Sequence, residues 1–198
     1  ITPGTKIEKI AGGFSFTEGP VWHPDGYLLF SDPNTNTIYR YNPGNHNVTV
    51  YMSHSGYTGA DIGEYGQPGS NGLAIDKEGR LIIDQHGNRR VIRIERKGPV
   101  TILADQIDGK RFNSPNDIVL KKDGTIYFTD PPYGLPGFFN DPKKELDYQG
   151  VFMIRNGKVQ VVSKDLGGPN GLAFSPDEKY LYVTNWDIRD IHHTKTLW

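Results

Sequence analysis

Four side chains that carry a ligand oxygen recur at similar places along the chain. Glu18, Asn71, Asn116 and Asn170 each open a short apolar phrase, and successive members are 53, 45 and 54 residues apart. Carboxylate and amide oxygens are the donors that hard divalent cations such as Ca²⁺ bind. If the four phrases are equivalent in space, their oxygens form a ring of ligands that can hold such a cation around one axis.

Each phrase continues into a turn signal and a second apolar run, which predicts a pair of short strands in each repeat. A period of this size built from short strands indicates a β-propeller, with one blade for each repeat. Equivalent positions in successive blades of that fold converge on a central channel. We therefore predict an all-β chain that forms one propeller domain over residues 1–198. The blades are expected at about 7–52, 70–104, 115–163 and 169–198.

The composition limits the other classes of function. The 198 residues include 24 Gly, 14 Pro and no Cys, which fits many tight turns and excludes disulfides and thiolate metal sites. The formal net charge is −1 without a basic stripe, which argues against nucleic acid as a partner. No apolar run is long enough for a membrane span, so a membrane partner is not expected either. The sequence also lacks the motifs of a serine, cysteine or zinc-peptidase nucleophile.

Five segments carry motifs that occur together and in a fixed order: 16–22, 84–91, 114–117, 129–134 and 168–174. This ordered set, up to Asp187, resembles the gluconolactonase branch of the SMP-30/gluconolactonase/LRE-like family. The resemblance implies a six-bladed propeller, of which about four blades lie in this chain. It also implies hydrolysis of sugar lactones such as gluconolactone, with a divalent metal, usually Ca²⁺, in the axial channel.

The same resemblance assigns metal ligation to Glu18, Asn116 and Asn170. This oxygen-only set with one negative charge suits Ca²⁺ or Mg²⁺ and offers zinc little, although Mg²⁺, Zn²⁺ and Mn²⁺ are all kept as substitutes. We expect the metal to polarise the lactone carbonyl and to activate a water molecule. The family's remaining ligand is an Asp in a Pro-Asp-Gly motif, often assigned as the general base, and no such motif follows Asn170 here.

Other residues are candidates for catalysis or for substrate binding. His86 follows a predicted strand end and is expected to emerge near the channel mouth, as a proton shuttle or substrate contact. The loop carboxylates Asp61 and Glu64 are candidates for binding sugar hydroxyls. The predicted substrate-binding residues are Asn71, Arg111 and Tyr133.

Plainer interpretations exist for several of these positions. Asn71, Asn116 and Asn170 also suit turns, and Asp117 suits the cap of its own turn. The adjacent pair His192–His193 is interpreted as a solvated tail, since neighbouring side chains on a strand face opposite sides. Four aspartates in the second-strand phrases are expected to accept backbone hydrogen bonds from turns rather than to act in catalysis. They are Asp32, Asp84, Asp130 and Asp187.

Two other functions compete with a lactonase. A propeller can bind sugars or proteins on the same face without chemistry, and a partial propeller can be an inactive piece of an enzyme. Unpaired blade faces would also favour oligomers. The compartment stays open, with periplasm or secretion slightly favoured over cytoplasm because similar lactonases are often exported.

Overall fold

The computed structural model describes residues 2–187 and 195–197, and within them every long element is a β-strand. The strands form four antiparallel sheets in chain order, which confirms the all-β prediction. The sheets consist of β1 (Glu18–His23), β2 (Tyr27–Asp32), β3 (Thr37–Asn42) and β4 (Asn47–Ser53); β5 (Ser70–Ile75), β6 (Leu81–Gln85), β7 (Arg90–Arg93) and β8 (Thr101–Ala104); β11 (Ile118–Leu120), β12 (Ile126–Asp130), β13 (Gly150–Arg155) and β14 (Lys158–Ser163); and β15 (Pro169–Phe174), β16 (Leu181–Asn185) and β17 (Lys195–Leu197).

Smaller elements connect the sheets. A hairpin of β9 (Gln106–Ile107) and β10 (Lys110–Arg111) lies between the second and third sheets. Three 3₁₀ turns cover Pro33–Thr35, Ile62–Glu64 and Phe138–Asn140. No helix in the described ranges has the length and apolarity needed to span a bilayer. The pair His192–His193 lies outside the described residues.

The predicted turns between the first two strands of each sheet are present. Gly26, Gly79 and Gly124 adopt φ values of 87°, 74° and 87°, a region that glycine enters without the steric cost of a Cβ atom. Glu178 takes this place in the fourth turn with φ 56°. The repeated turn signals therefore mark real repeats of one two-stranded unit.

The apolar core lies between the sheets, because neighbouring residues of a strand face opposite sides. Ile83 packs with Leu29 and Ile38 of the first sheet, whereas Ile82 packs with Phe128 on the other side, where the third sheet lies. A third cluster joins Val151 to the fourth sheet. Each sheet is thus held by the apolar faces of its neighbours, as propeller blades are.

The first strands of successive sheets approach each other unusually closely. A Cβ atom built on Gly19 would lie 2.1 Å from the carbonyl oxygen of Asn71, and one on Gly72 would lie 2.7 Å from that of Asn116. The N–H group of Gly72 donates to the same Asn116 carbonyl at 2.6 Å. Glycine directly after the anchor residue therefore allows the anchors of neighbouring sheets to come together.

Side chains at the ends of the second strands hold the segment that precedes each sheet. Asp32 accepts the N–H groups of Ser15 and Phe16 at 2.8 and 3.3 Å. Asp130 accepts the N–H group of Asn113 at 2.8 Å. The architectural role predicted for Asp32 and Asp130 agrees with these contacts.

The same role is wrong for Asp84. Its two carboxyl oxygens have no hydrogen-bond partner among the described residues. The sheet register places Gln85, which donates to the carbonyl of Ser55 at 2.7 Å, at the position equivalent to Asp32. In the fourth sheet Asn185 holds this position and accepts the N–H group of Gly168 at 2.8 Å, so Asp187 lies two residues farther on.

The close approach at Gly72 predicts a large effect of a single methyl group. Gly72→Ala would place Cβ within 3 Å of three backbone atoms of β11 and the residues before it. We expect a loss of about 1–3 kcal/mol in the free energy of unfolding, measured by urea denaturation. Gly63→Ala is the matched control, because a Cβ there meets nothing within 4 Å. Equal stability of the two variants would contradict the close packing of these strands.

Asp130 predicts a pH dependence of stability. Burial raises the pKa of its carboxyl to about 7, partly opposed by the Asn113 N–H group and Arg89. Between the ordinary pKa and this value the folded state binds more protons than the unfolded state, so stability falls as pH rises from about 4 to about 7. Asp130→Asn should flatten this slope in urea denaturation at several pH values. An unchanged slope would show that Asp130 does not titrate in this way.

Candidate functional site

A cleft of about 530 Å³ lies where the first strands of the sheets converge. Glu18, Asp117 and Asn170 line it together with backbone and apolar side chains of β5, β11 and β15. These three residues come from the first, third and fourth sheets. The structure therefore brings the anchors Glu18 and Asn170 to one cavity, as the repeat predicts.

The described charged side chains that line this cleft are two carboxylates, Glu18 and Asp117. Burial raises the pKa of Glu18, and the Asp117 carboxylate raises it further, while the N–H group of Gly19 opposes the shift. Burial also raises the pKa of Asp117. Among the residues that the structure describes, no Lys, Arg or His side chain lines the cleft. Two partly buried carboxylates that repel each other attract a cation.

Asp117 is a site residue whose type the repeat did not predict. It stands directly after Asn116, where the other three phrases have glycine. Its carboxylate accepts the N–H groups of Ile118 at 2.9 Å and of Leu172 at 2.8 Å, so it bridges to the fourth sheet. Asp117 thus lines the cleft in addition to accepting the hydrogen bond expected of a turn cap. The break in the glycine pattern was the signal in the sequence.

Asn116 lies beside the cleft rather than among the residues that line it. Its side chain is buried, and its amide nitrogen lies 3.1 Å from Nε2 of His86. Its backbone N–H group donates to Thr129 at 2.8 Å. Contacts on both its backbone and its side chain therefore fix the orientation of Asn116.

His86 does not emerge at the channel mouth as expected. It is fully buried, and burial lowers its pKa to about 4, so the imidazole is neutral at physiological pH. A Cβ atom on Gly134 would lie 2.3 Å from Cβ of His86, which shows how tightly the loop after β12 covers the ring. The contact of His86 is with Asn116, and its predicted catalytic role is untested by this geometry.

Asn71 and Asn170 differ in exposure. Asn71 is buried, and its carbonyl faces Gly19 of the first sheet. Asn170 is partly buried, and its carbonyl accepts the hydroxyl of Thr129 at 2.7 Å. The carbonyl of each anchor thus lies against the preceding sheet, and Asn170 is the one of the two that lines the cleft.

The other predicted substrate residues lie elsewhere. Tyr133 is buried, and its hydroxyl donates to the carbonyls of Gly168 and Trp186. Arg111 is exposed, and its guanidinium donates to the carbonyl of Asn88 at 2.8 Å. Arg111 lines a separate cleft of about 650 Å³ on the loops of the second and third sheets. The structure does not bring Arg111 or Tyr133 to the cleft of Glu18.

Asp61 and Glu64 do not line this separate cleft but contact Lys143, which does. Lys143 makes ion pairs with Asp61 at 3.3 Å and with Glu64 at 3.6 Å. The hydroxyl of Tyr57 also donates to Asp61. These contacts engage both carboxylates within the loops. The role predicted for them in binding sugar hydroxyls stays a prediction.

The donors in the main cleft fit a hard divalent cation. Within the described ranges no three His, Cys, Asp or Glu side chains are close enough to hold a metal without other donors. Glu18 and Asp117 supply carboxylate oxygens, and Asn170 supplies an amide oxygen. Ca²⁺ takes such mixed oxygen ligands, with water completing its shell. The set offers neither sulfur nor imidazole for a softer metal.

Comparisons with known proteins agree with this architecture. Residues 16–195 match the model of the SMP-30/Gluconolactonase/LRE-like region. A gluconolactonase of Zymomonas mobilis is 40% identical over 190 residues, covering 92% of this chain and 52% of that protein. Pentonolactonase XacC of Haloferax volcanii is 26% identical over 181 residues, covering 88% of this chain and 51% of that protein.

A solved structure matches almost the same part of this chain as the gluconolactonase of Zymomonas mobilis does. The gluconolactonase XC5397 of Xanthomonas campestris matches with a TM-score of 0.79 and 29% identity, covering 94% of this chain and 59% of that one. The chain spans about half the length of the curated relatives it matches. With a family model that matches most of its residues and a relative 40% identical across it, the chain belongs to the SMP-30/gluconolactonase/LRE-like family.

Proposed function

We propose that the chain carries the cation-binding part of a lactonase that hydrolyses sugar lactones such as gluconolactone. The observation that carries this proposal is the pair of partly buried carboxylates, Glu18 and Asp117, in a cleft that has no basic side chain among its described lining residues. Relatives named gluconolactonase and pentonolactonase support the substrate class. The proposed cofactor is Ca²⁺, because the donors are all oxygens.

The proposed ligands come from three sheets. Glu18 and Asn170 bind with their side-chain oxygens at the cleft, and Asp117 adds the second carboxylate. Asn116 lies beside them, and His86 holds its amide in place through the 3.1 Å contact. When bound, Ca²⁺ would supply Lewis acidity toward the lactone carbonyl. We assign His86 to positioning Asn116, since a buried neutral imidazole has no access to substrate.

The chain's own residues also shape the space for the substrate. Pro20, Leu73 and Leu172 form apolar walls of the cleft, which limit water around the reacting carbonyl. We propose a six-bladed circle for the whole protein, in which further residues complete the ligand shell. Asn71 is kept as a residue near the substrate, whereas Arg111 would contact only a substrate that extends into its separate cleft.

Removal of the Glu18 charge tests the cation site. Glu18→Gln keeps the size of the side chain and removes one carboxylate, so Ca²⁺ affinity should fall at least about tenfold. Isothermal titration of Ca²⁺ into metal-stripped protein measures this change. Glu8→Gln is the matched control, because Glu8 is exposed and lies outside the residues that line the cleft. Equal affinities of Glu18→Gln and the unsubstituted protein would exclude Glu18 as a ligand.

Turnover separates the proposed enzyme from a binding module. We expect Ca²⁺-dependent hydrolysis of glucono-δ-lactone in a pH-stat assay, lost with a chelator and in Glu18→Gln. Saturable lactone binding without hydrolysis would favour the binding module. Hydrolysis at the same rate with and without chelator would contradict the proposed role of the cation.

A further inference from the structure

Asp84 is a buried acid that does not belong to the proposed ligand set. Its side chain is fully buried, and neither carboxyl oxygen has a hydrogen-bond partner in the described part of the chain. A buried carboxyl group without partners destabilises a fold, because it loses its hydration and gains nothing in return. A residue that breaks a local rule in this way points to a role outside stability.

The register identifies the residues at the equivalent position in the other sheets. Asp84 follows Ile83, which pairs with Leu73 of β5. In the third sheet Ile118 pairs with Phe128, so the equivalent residue is Thr129, and the same count gives Thr184 in the fourth sheet and Ser31 in the first. Hydroxyl residues thus occupy this position in the other three sheets.

Side chains at this position reach the first strand of the following sheet. The hydroxyl of Ser31 lies 2.8 Å from that of Ser70, at the start of β5. The hydroxyl of Thr129 donates to the carbonyl of Asn170 in β15 at 2.7 Å. Asp84 therefore points toward the chain that enters β11, where Asn116 and Asp117 lie.

The electrostatic neighbours of Asp84 agree with this direction. Burial raises its pKa well above the ordinary value, and the carboxylates of Asp117 and Asp130 raise it further. Asp117 also raises the pKa of Glu18 at the cleft. Asp117 is thus the common electrostatic neighbour of Glu18 at the cleft and of Asp84 in the second sheet. A cation at the cleft would favour the ionised form of each.

We propose that Asp84 is a positioning residue for the cation site, which it strengthens by adding negative charge behind Asn116 and Asp117 without contacting the cation. The inference rests on the proposed function and deepens it. The Coulomb attraction between an ionised carboxylate and a divalent cation is twice that of two unit charges, and at an effective dielectric constant of about 20 its loss should lower cation affinity about tenfold. Asp84 would thereby lower stability in exchange for cation affinity.

The test replaces Asp84 by the residue that its equivalents carry. Asp84→Thr introduces the hydroxyl found at Thr129, and Asp84→Asn keeps the shape and removes the charge. Ca²⁺ affinity is measured by isothermal titration, and the stability of the metal-free protein by its thermal midpoint. We expect an unchanged or higher midpoint and a Kd for Ca²⁺ raised about tenfold or more in both variants.

A matched control distinguishes this effect from the loss of any buried acid. Asp141 is buried, but its oxygens accept the N–H groups of Gly137 and Lys143. Asp141→Asn should lower the midpoint and leave the Kd unchanged.

Three results would overturn the inference in different ways. An unchanged Kd in both Asp84 variants would remove Asp84 from the cation site and leave the proposed function intact. A lower midpoint of the metal-free variants, or failure of both to fold, would show that Asp84 is structural. Absence of Ca²⁺ binding by the unsubstituted protein would refute the proposed cation site and the role of Asp84 with it.

Discussion

The close approach of the first strands is the constraint on which the rest of the structure depends. At Gly19 and Gly72 the backbone of the next sheet lies so close that no side chain would fit. The carbonyls of Asn71 and Asn116 occupy the space that a Cβ atom would need. The anchor oxygens converge because the backbones do. Apolar clusters between neighbouring sheets stabilise this arrangement. Polar residues at the starts of the first and fourth sheets lie at the cleft.

The repeat in the sequence was sufficient to predict the sheets and their turns. A Gly follows three of the four anchors, and at Gly19 and Gly72 its structural cause is close contact with the backbone of the next sheet. The Gly of the turn in the first three repeats has its cause in a positive φ. Register was harder to predict. The bulges at the starts of β1, β5 and β15 each add a residue that a count along the sequence cannot place. The two aspartates Asp32 and Asp84 were paired because each ends an apolar run, yet Asp32 lies 14 residues after Glu18 whereas Asp84 lies 13 after Asn71.

The site was predictable where it depended on the repeat and not where it depended on loops. Glu18 and Asn170 reach the cleft because they open equivalent strands. His86, Arg111 and Tyr133 lie in connections whose paths are set by particular contacts, such as the packing of Gly134 on His86. Asp117 occupies a position that the repeat predicts, but the other three repeats have glycine there, so its carboxylate could not be predicted from them. Its bond to Leu172 shows why a carboxylate fits where glycine stands elsewhere.

The central claim is that acids from separate sheets meet at one cation. A crystal structure of the chain grown with Ca²⁺, with the ion located from its anomalous scattering, tests this most directly. We expect one strong peak in the cleft, within about 2.3–2.6 Å of oxygens from Glu18, Asp117 and Asn170. A structure without a peak there, with Glu18 paired to a basic side chain or turned to solvent, would contradict it.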